Sequence, residues 1–304
     1  MPIVLAGHQY GKAENRVVRF QRDLPRHEIV DLNVTSTLRG DFADAYLAGD
    51  QAKVLPTDSQ KNTIFAYAKS KGTTGVETYA LDLARHFVDD VEPVTCARID
   101  VDSYPWTRAV VDGAEHDHTW VRSGSEVRTA AVTVAGTGQE RETHVVAGLK
   151  DLTLLKSTGS EFHGFLTDEY TTLEPTDDRV MATVLVASWR YGPECLADGF
   201  DFDAAHAAVR RTLVEQFATR HSQALQQTLW HMGHAALEDV PSVVEIRLSA
   251  PNKHHFPYDL ARFGLENHGE VFPAADRPYG LIPAVVARDD VPAAPLAWQT
   301  GPLA

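Results

Sequence analysis

Residues 28–38, EIVDLNVTSTL, alternate between apolar and polar positions. Because successive side chains of a strand point to opposite faces, this alternation predicts a half-buried β-strand. Residues 13–20 are also rich in strand-forming side chains, and a short polar stretch with Pro25 separates the two segments, so we expect a β-hairpin. The apolar face of the second strand comprises Val30, Leu32 and Val34, and its polar face Asp31, Asn33 and Thr35.

Apolar residues recur at helical spacing over residues 74–87, which predicts an amphipathic helix. Thr74 and Glu77 stand in capping-box arrangement at its start. An earlier helix is expected to begin after Asp58, with Thr57 and Asp58 available as N-caps. Four strand-like runs follow the second helix.

The second half of the chain repeats this order of elements: two strands, two helices, two strands. Two consecutive β-β-α-α-β-β patterns suggest a duplicated α+β unit, each with an antiparallel sheet covered by helices on one face. The units are expected at residues 1–137 and 138–304, with a linker near residues 136–142. Hairpins dominate over crossovers, which argues against a doubly wound nucleotide fold.

The amino-acid composition limits the kinds of partner that the protein can bind. The 28 Lys and Arg residues against 42 Asp and Glu give a net charge of −14, which disfavours a nucleic-acid or membrane surface as the partner. An anionic substrate would therefore need a local positive pocket. The two cysteines, Cys96 and Cys195, are too few for a disulfide framework. With no apparent targeting segment, we expect a cytoplasmic protein.

The stretch PNKHHF, residues 251–256, follows a predicted strand. In an extended chain His254 and His255 point to opposite sides, so they cannot chelate one metal together. One of them could transfer protons, because the ordinary pKa of histidine lies near neutrality. Two partly exposed histidines in a polar turn are the alternative interpretation.

Other histidines give weaker signals. His116 and His118 could share a strand face as metal ligands, but no third ligand follows from spacing. His231 and His234 lack the H-E-x-x-H pattern of a zinc helix. Neither a complete dinucleotide fingerprint nor a Walker pattern is present. The lack of a cofactor motif favours a reaction in which the substrate itself supplies the electrons.

The segment 152–179, LTLLKSTGSEFHGFLTDEYTTLEPTDDR, resembles the signature of the urate oxidase (uricase) family. The segments QYGKAENRV, LNVTSTLRGDF, PTDSQKNT, LQQT, SAPNKHHF and AADRPYG resemble further family segments in the same order, so that the resemblance spans nearly the full chain. The matching signature positions are Lys156, Ser157, Thr158, Phe162, Phe165, Tyr170, Leu173 and Arg179.

This resemblance implies the tunnelling fold, with two tandem units per subunit and a homotetramer built around a tunnel. It also implies oxidation of urate by O2 to 5-hydroxyisourate with release of H2O2, with no metal and no organic cofactor. The active sites would lie at subunit interfaces.

The resemblance also implies residue roles. Arg179 and Gln226 would clamp urate and Phe162 would stack on its ring. Further contacts would come from Thr57, Asp58 and Leu225, while Asn252 would face the position of O2 or water, and Lys12, Thr57 and His254 would form the proton-relay set. The family often has valine where this chain has Leu225.

Two alternatives stay open at this point. One is a zinc-dependent pterin or purine enzyme of the same fold that uses His116, His118 and another histidine. The other is a non-catalytic purine-binding oligomer, which would bind urate without consuming O2. A chelator separates the first from a cofactor-free oxidase, and O2 uptake separates the second.

Overall fold

The computed structural model describes residues 2–73, 75–273 and 277–299. The chain divides into two compact units. The first comprises the described parts of residues 1–148, 189–204 and 289–304, and the second comprises residues 149–188 and the described parts of 205–288. The expected division into tandem units at residues 1–137 and 138–304 stays a prediction.

The described part of the first unit contains antiparallel strands and four complete helices. Its elements up to the unit boundary are β1 (Tyr10–Gln21), β2 (Glu28–Gly40), α1 (Ala43–Leu47), α2 (Thr57–Ser70), α3 (Val76–Asp90), β3 (Val94–Ser103), β4 (Trp106–Val111), β5 (Ala114–Arg122), β6 (Val127–Ala135) and β7 (Glu142–Lys156). The strands run in the order β1-β2-β3-β6-β7, and β4 and β5 form a separate two-stranded sheet. A short C-terminal helix, α6 (Pro295–Trp298), also belongs to this unit.

The hairpin of β1 and β2 confirms the prediction from alternation. The two strands pair antiparallel, and Leu32 and Val34 are fully buried. The opposite face is not uniformly solvated, since Asp31 is only 2% exposed. Arg16 donates two hydrogen bonds of 2.6 Å to its carboxylate, and the Trp106 indole N–H donates a third. Paired in this way, a charged residue is tolerated in a buried position.

Helices α2 and α3 begin close to where the sequence predicts them, but their caps differ from expectation. Asp58 does not cap α2, because its carboxylate accepts hydrogen bonds from Lys61 and Asn62. Helix α3 starts after Gly75, and no side chain caps it. Thr74 of the expected capping box lies outside the described residues.

Glu77, the other member of the expected box, is fully buried and bonded to Arg128 at 2.6 Å. Burial raises the pKa of its carboxyl, and the Arg128 charge opposes that rise. The carboxylate thus ties α3 to β6 instead of closing a helix end, which the local spacing could not reveal.

The described part of the second unit contains antiparallel strands and two helices. Its further elements are β8 (Met181–Tyr191), α4 (Phe202–Thr219), α5 (Leu225–Asp239), β9 (Val243–Asn252) and β10 (Gly280–Ala287); β7, β8 and α4 contribute residues to both units. The strands run in the order β7-β8-β9-β10, and α5 packs on β9 and β10.

Close packing of α5 on the sheet depends on Gly233. A Cβ added there would lie 2.6 Å from Cγ2 of Val286 in β10, closer than side-chain carbons approach. The helix therefore reaches the strand through its glycine, and this contact fixes α5 above the sheet.

Both cysteines are buried thiols. Burial raises the pKa of Cys96, and it raises the pKa of Cys195 to about 12. Among the described residues, no helix is long and apolar enough to span a membrane.

Candidate active site

A pocket of about 600 Å³ lies in the second unit. Its walls come from the loop between β7 and β8, from the end of β9 and from the segment that follows β9. Among the residues predicted for the site, the described lining includes Phe162, Arg179, Asn252 and His254. The structure thus brings together four residues that are up to 92 positions apart in the sequence.

Arg179 is held at the base of this pocket by Ser160. The Arg179 backbone N–H donates to Ser160 O at 2.8 Å, and the guanidinium Nε donates to Ser160 Oγ at 3.4 Å. Among the described residues, this is the one side-chain hydrogen bond of Arg179, and no carboxylate pairs with it. Burial lowers the pKa of the guanidinium from its usual value, although an arginine remains charged. The pocket therefore holds a partly desolvated cation suited to an anionic ligand.

Phe162 lies beside this cation, with Cζ of Arg179 5.2 Å from the centre of its ring. The rings of Phe162 and Phe165 stack at 5.0 Å with an angle of 13° between their planes. Backbone hydrogen bonds between Phe162 and Thr176 in both directions fix the loop at this point. A rigid aromatic surface next to a guanidinium matches a planar anion.

Asn252 and His254 reach the pocket from the end of β9. Asn252 is 8% exposed and pairs with Gly280 of β10. The His254 ring stacks on Phe256 at 5.6 Å, and a Cβ at position 280 would lie 3.9 Å from its Nε2. Burial, then the nearby charges of Arg179 and His255, lower the pKa of His254 below 6.5. The imidazole is therefore neutral at pH 7 and can accept a proton.

The expectation that His255 points away from His254 stays a prediction. Both histidines line the pocket. The alternation holds only while the chain is a regular strand, and β9 ends at Asn252. Beyond it, His255 Nδ1 lies 3.0 Å from Lys253 O, and its ring contacts Phe272 edge-on at 6.1 Å.

Leu225 and Gln226 occupy the first two positions of α5 and are not part of the described pocket lining. Leu225 is 1% exposed, whereas Gln226 is exposed. A bridge between Ser222 and Ser160 joins the start of α5 to the segment that holds Arg179. Gln226 therefore lies in the first turn of a helix that is anchored to the same segment as Arg179.

Lys12, Thr57 and Asp58 lie in the first unit. Thr57 and Asp58 form the exposed start of α2, and Lys12 lies on β1 beside a bulge. The hydrogen bond from Lys61 is the main cause that lowers the pKa of Asp58, and the charge of Lys12 contributes in the same direction. The structure thus places Lys12 close to Asp58.

His116 and His118 lie on the exposed strand β5, with ring centres 6.0 Å apart and nearly perpendicular planes. His118 Nε2 lies 2.7 Å from Pro25 O, so this nitrogen carries a proton and donates. Within the described ranges, no group of three His, Cys, Asp or Glu side chains has an arrangement that could hold a metal ion.

Sequence reasoning missed three buried residues that contact the site segments. Ser160, Met181 and Ser222 are each at most 1% exposed and contact one another through side-chain hydrogen bonds. Loop serines and a single methionine have no periodic pattern, so their proximity follows only from the folded chain.

The antiparallel sheets and packed helices define an α+β tunnelling fold, and solved structures agree with it. The crystal structure of uricase from Arthrobacter globiformis aligns with a TM-score of 0.89 at 49% identity, covering 97% of this chain and 98% of that one. The crystal structure of a uricase from Bacillus fastidious aligns with a TM-score of 0.82 at 24% identity, covering 94% and 95% of the two chains. The second likeness concerns the fold alone.

Sequence comparison identifies the family. The family described as Uricase matches residues 8–133 and 145–283. The uricase of Arthrobacter globiformis is 50% identical over 287 residues, which cover 94% of this chain and 91% of the relative. The uricase of Danio rerio is 36% identical, with coverage of 92% and 93%. The chain belongs to the uricase family, and its reaction class is the oxidation of urate.

Proposed function

We propose that the protein oxidises urate with O2 and water to 5-hydroxyisourate and releases H2O2. The reaction balances as urate, O2 and H2O giving 5-hydroxyisourate and H2O2, so the substrate supplies both electrons. The supporting observation is the half-buried Arg179 guanidinium, which lies beside the ring of Phe162 and has no carboxylate partner among the described residues.

Substrate binding rests on charge and shape. Urate is a planar anion, so the guanidinium of Arg179 supplies a charged, planar donor pair and Phe162 supplies a stacking surface. Gln226 completes the clamp as an amide that donates and accepts. Leu225, Thr57 and Asp58 add contacts at the rim, and a leucine serves as well as a valine where the contact is the backbone N–H.

We assign proton transfer to Lys12, Thr57 and His254. Removal of a proton makes the purine a better electron donor to O2. Lys12 accepts a proton through the Thr57 hydroxyl only as the uncharged amine, and neutral His254 accepts a proton from water or orients it for attack. Asn252 faces the position of O2 or water. No metal and no organic cofactor takes part in this scheme.

We further propose a homotetramer whose active sites each combine residues of two subunits. Lys12, Thr57 and Asp58 of one subunit would complete the pocket that carries Arg179, Gln226 and His254 of another. Thr57, Asp58 and Gln226 are exposed in the single chain, as groups that meet at an interface would be. The tandem units 1–137 and 138–304 and the cytoplasmic location stay predictions of the same scheme.

The decisive experiment mixes chelator-treated, metal-analysed protein with urate and follows O2 uptake together with H2O2 release. Equal amounts of O2 consumed and H2O2 formed are expected, and addition of a chelator should leave the rate unchanged. Loss of activity on metal removal, restored by zinc, would support the metal-dependent alternative. Binding of urate without O2 uptake would indicate a non-catalytic oligomer.

A further inference from the structure

The sulfur of Met181 lies where two buried serine hydroxyls meet. Ser160 Oγ donates to Met181 Sδ at 3.5 Å, and Ser222 Oγ donates to the same sulfur at 3.6 Å. The side chains of all three residues are at most 1% exposed. A thioether is a weak acceptor, and in this arrangement both serine hydroxyls donate to it.

Ser160 also accepts a hydrogen bond from Arg179, and Ser222 accepts one from the helix that carries Gln226. Ser160 Oγ accepts from Nε of Arg179 at 3.4 Å. Ser222 Oγ accepts at 2.7 Å from Oγ1 of Thr228, which lies on α5 two residues after Gln226. A hydroxyl has a single proton, so giving it to the sulfur directs the oxygen lone pairs toward these donors.

Backbone hydrogen bonds join the two serines as well. Glu161 N donates to Ser222 O at 2.8 Å, and Ser222 N donates to Gly159 O at 2.9 Å. The loop that holds Arg179 is therefore connected to the start of α5 in two ways. Backbone hydrogen bonds join them, and so do the side-chain hydrogen bonds that both serines make to the Met181 sulfur.

We propose that Met181 is a positioning residue for urate binding: its sulfur orients Ser160 and Ser222, which set the Arg179 side chain and the start of α5 relative to each other. This inference rests on the proposed function for the identity of the ligand. A purely apolar role would be met equally by leucine, which has a similar volume but no acceptor.

The test compares Met181→Leu with Met232→Leu. Met232 is also 1% exposed and lies on α5, which makes it a matched control for removal of a buried sulfur. Met181→Leu should weaken binding of a non-oxidisable urate analogue roughly threefold to tenfold, the effect of about one lost hydrogen bond. KM should rise with little change in kcat, and Met232→Leu should stay within about twofold on both measures.

A double-mutant cycle shows whether the sulfur acts through the serines. Ser160→Ala and Met181→Leu together should weaken analogue binding by less than the product of their separate effects. Ser160→Ala and Ser222→Ala alone keep the methionine, so they report on the same contacts if Met181→Leu does not fold. Multiplicative effects, or equal binding by Met181→Leu and Met232→Leu, would overturn the proposal.

Crystal structures separate this inference from the proposed reaction. In Met181→Leu the guanidinium of Arg179 should leave Ser160, whereas in Met232→Leu it should stay. An unmoved Arg179 in Met181→Leu would refute the positioning role even if the wild-type protein oxidises urate. Absence of O2 uptake by the wild type, with Arg179 displaced in the variant, would refute the reaction and leave the positioning role standing.

Discussion

The candidate site residues of the two units differ in how their charges are balanced. In the second unit, the half-buried Arg179 has a serine as its side-chain partner, and burial lowers its pKa. In the first unit, the exposed Asp58 is bonded to Lys61 and Asn62, with the charge of Lys12 close by. Among the residues that the structure describes, one region has a positive charge with no carboxylate partner, and the other balances its charges internally.

This difference predicts that anion binding rests on Arg179, whereas proton transfer is divided between the exposed groups of the first unit and His254 of the second. A desolvated cation without a carboxylate gains most from an anionic ligand, so the second unit is suited to hold urate. The Asp58 carboxylate is already paired with Lys61 and has the charge of Lys12 close by, so this region gains little from an extra anion. The following variants test that separation.

The largest effect is expected for His254→Ala. Loss of the neutral imidazole should lower turnover by a factor on the order of 10² to 10⁴ if proton transfer limits the rate. Binding of a non-oxidisable urate analogue should change much less, because Arg179 and Gln226 remain. O2 uptake by the purified variant and calorimetric titration measure the two effects; equal losses in both would assign His254 to binding instead.

Arg179→Lys should weaken urate binding although it keeps the charge. A lysine lacks the planar fork that matches the substrate edge, and loss of a charge-assisted bond costs roughly 1.5 to 3 kcal/mol. The measurement is the Kd of the analogue, with Arg211→Lys on an exposed face of α4 as the control. Wild-type affinity in Arg179→Lys would contradict the assignment of the cation to substrate binding.

Mixed oligomers of Lys12→Ala and Arg179→Ala chains test whether the two regions meet across an interface. If sites are shared between two subunits and chains mix at random, about a quarter of the sites regain both residues. Each variant alone should be nearly inactive. Mass spectrometry confirms mixing, and confirmed mixing without recovered O2 uptake would show that each chain builds its own site.

The smallest effect is expected for His255→Phe. Burial contributes most to the lowered pKa of His254, followed by the charges of Arg179 and His255. Removal of the His255 ring takes away one positive neighbour, so the pKa of His254 should rise and the acid limb of the turnover profile should move to higher pH. Arg179, His268, Glu174 and Asp178 also line the pocket and stay unchanged. An acid limb at the same or lower pH would exclude this coupling.

Sequence patterns predicted the strands and helices of this fold well, because apolar periodicity reports which face of an element is buried. The hairpin of β1 and β2 and the helix α3 are the clearest cases. The predicted capping interaction of Glu77 does not form, because its carboxylate pairs with Arg128, 51 positions away in sequence. Tertiary charge pairing overrode a local signal.

The pocket could be predicted only through the family resemblance. Spacing alone does not bring Phe162 and Arg179 to the end of β9, where Asn252 and His254 stand. Strand alternation cannot fix the direction of His255, because this residue follows the last strand residue, Asn252. The contacts of Met181 had no sequence signal at all, since they join three separate segments.

The burial of Cys96 and Cys195 bears on the lifetime of an enzyme that makes an oxidant. Peroxide attacks the thiolate form of cysteine, and the first product, a sulfenic acid, leads on to irreversible acids. Burial raises the pKa of both thiols, that of Cys195 to about 12, so the reactive anion is scarce at pH 7. Both cysteines are thereby protected from the H2O2 released with every turnover.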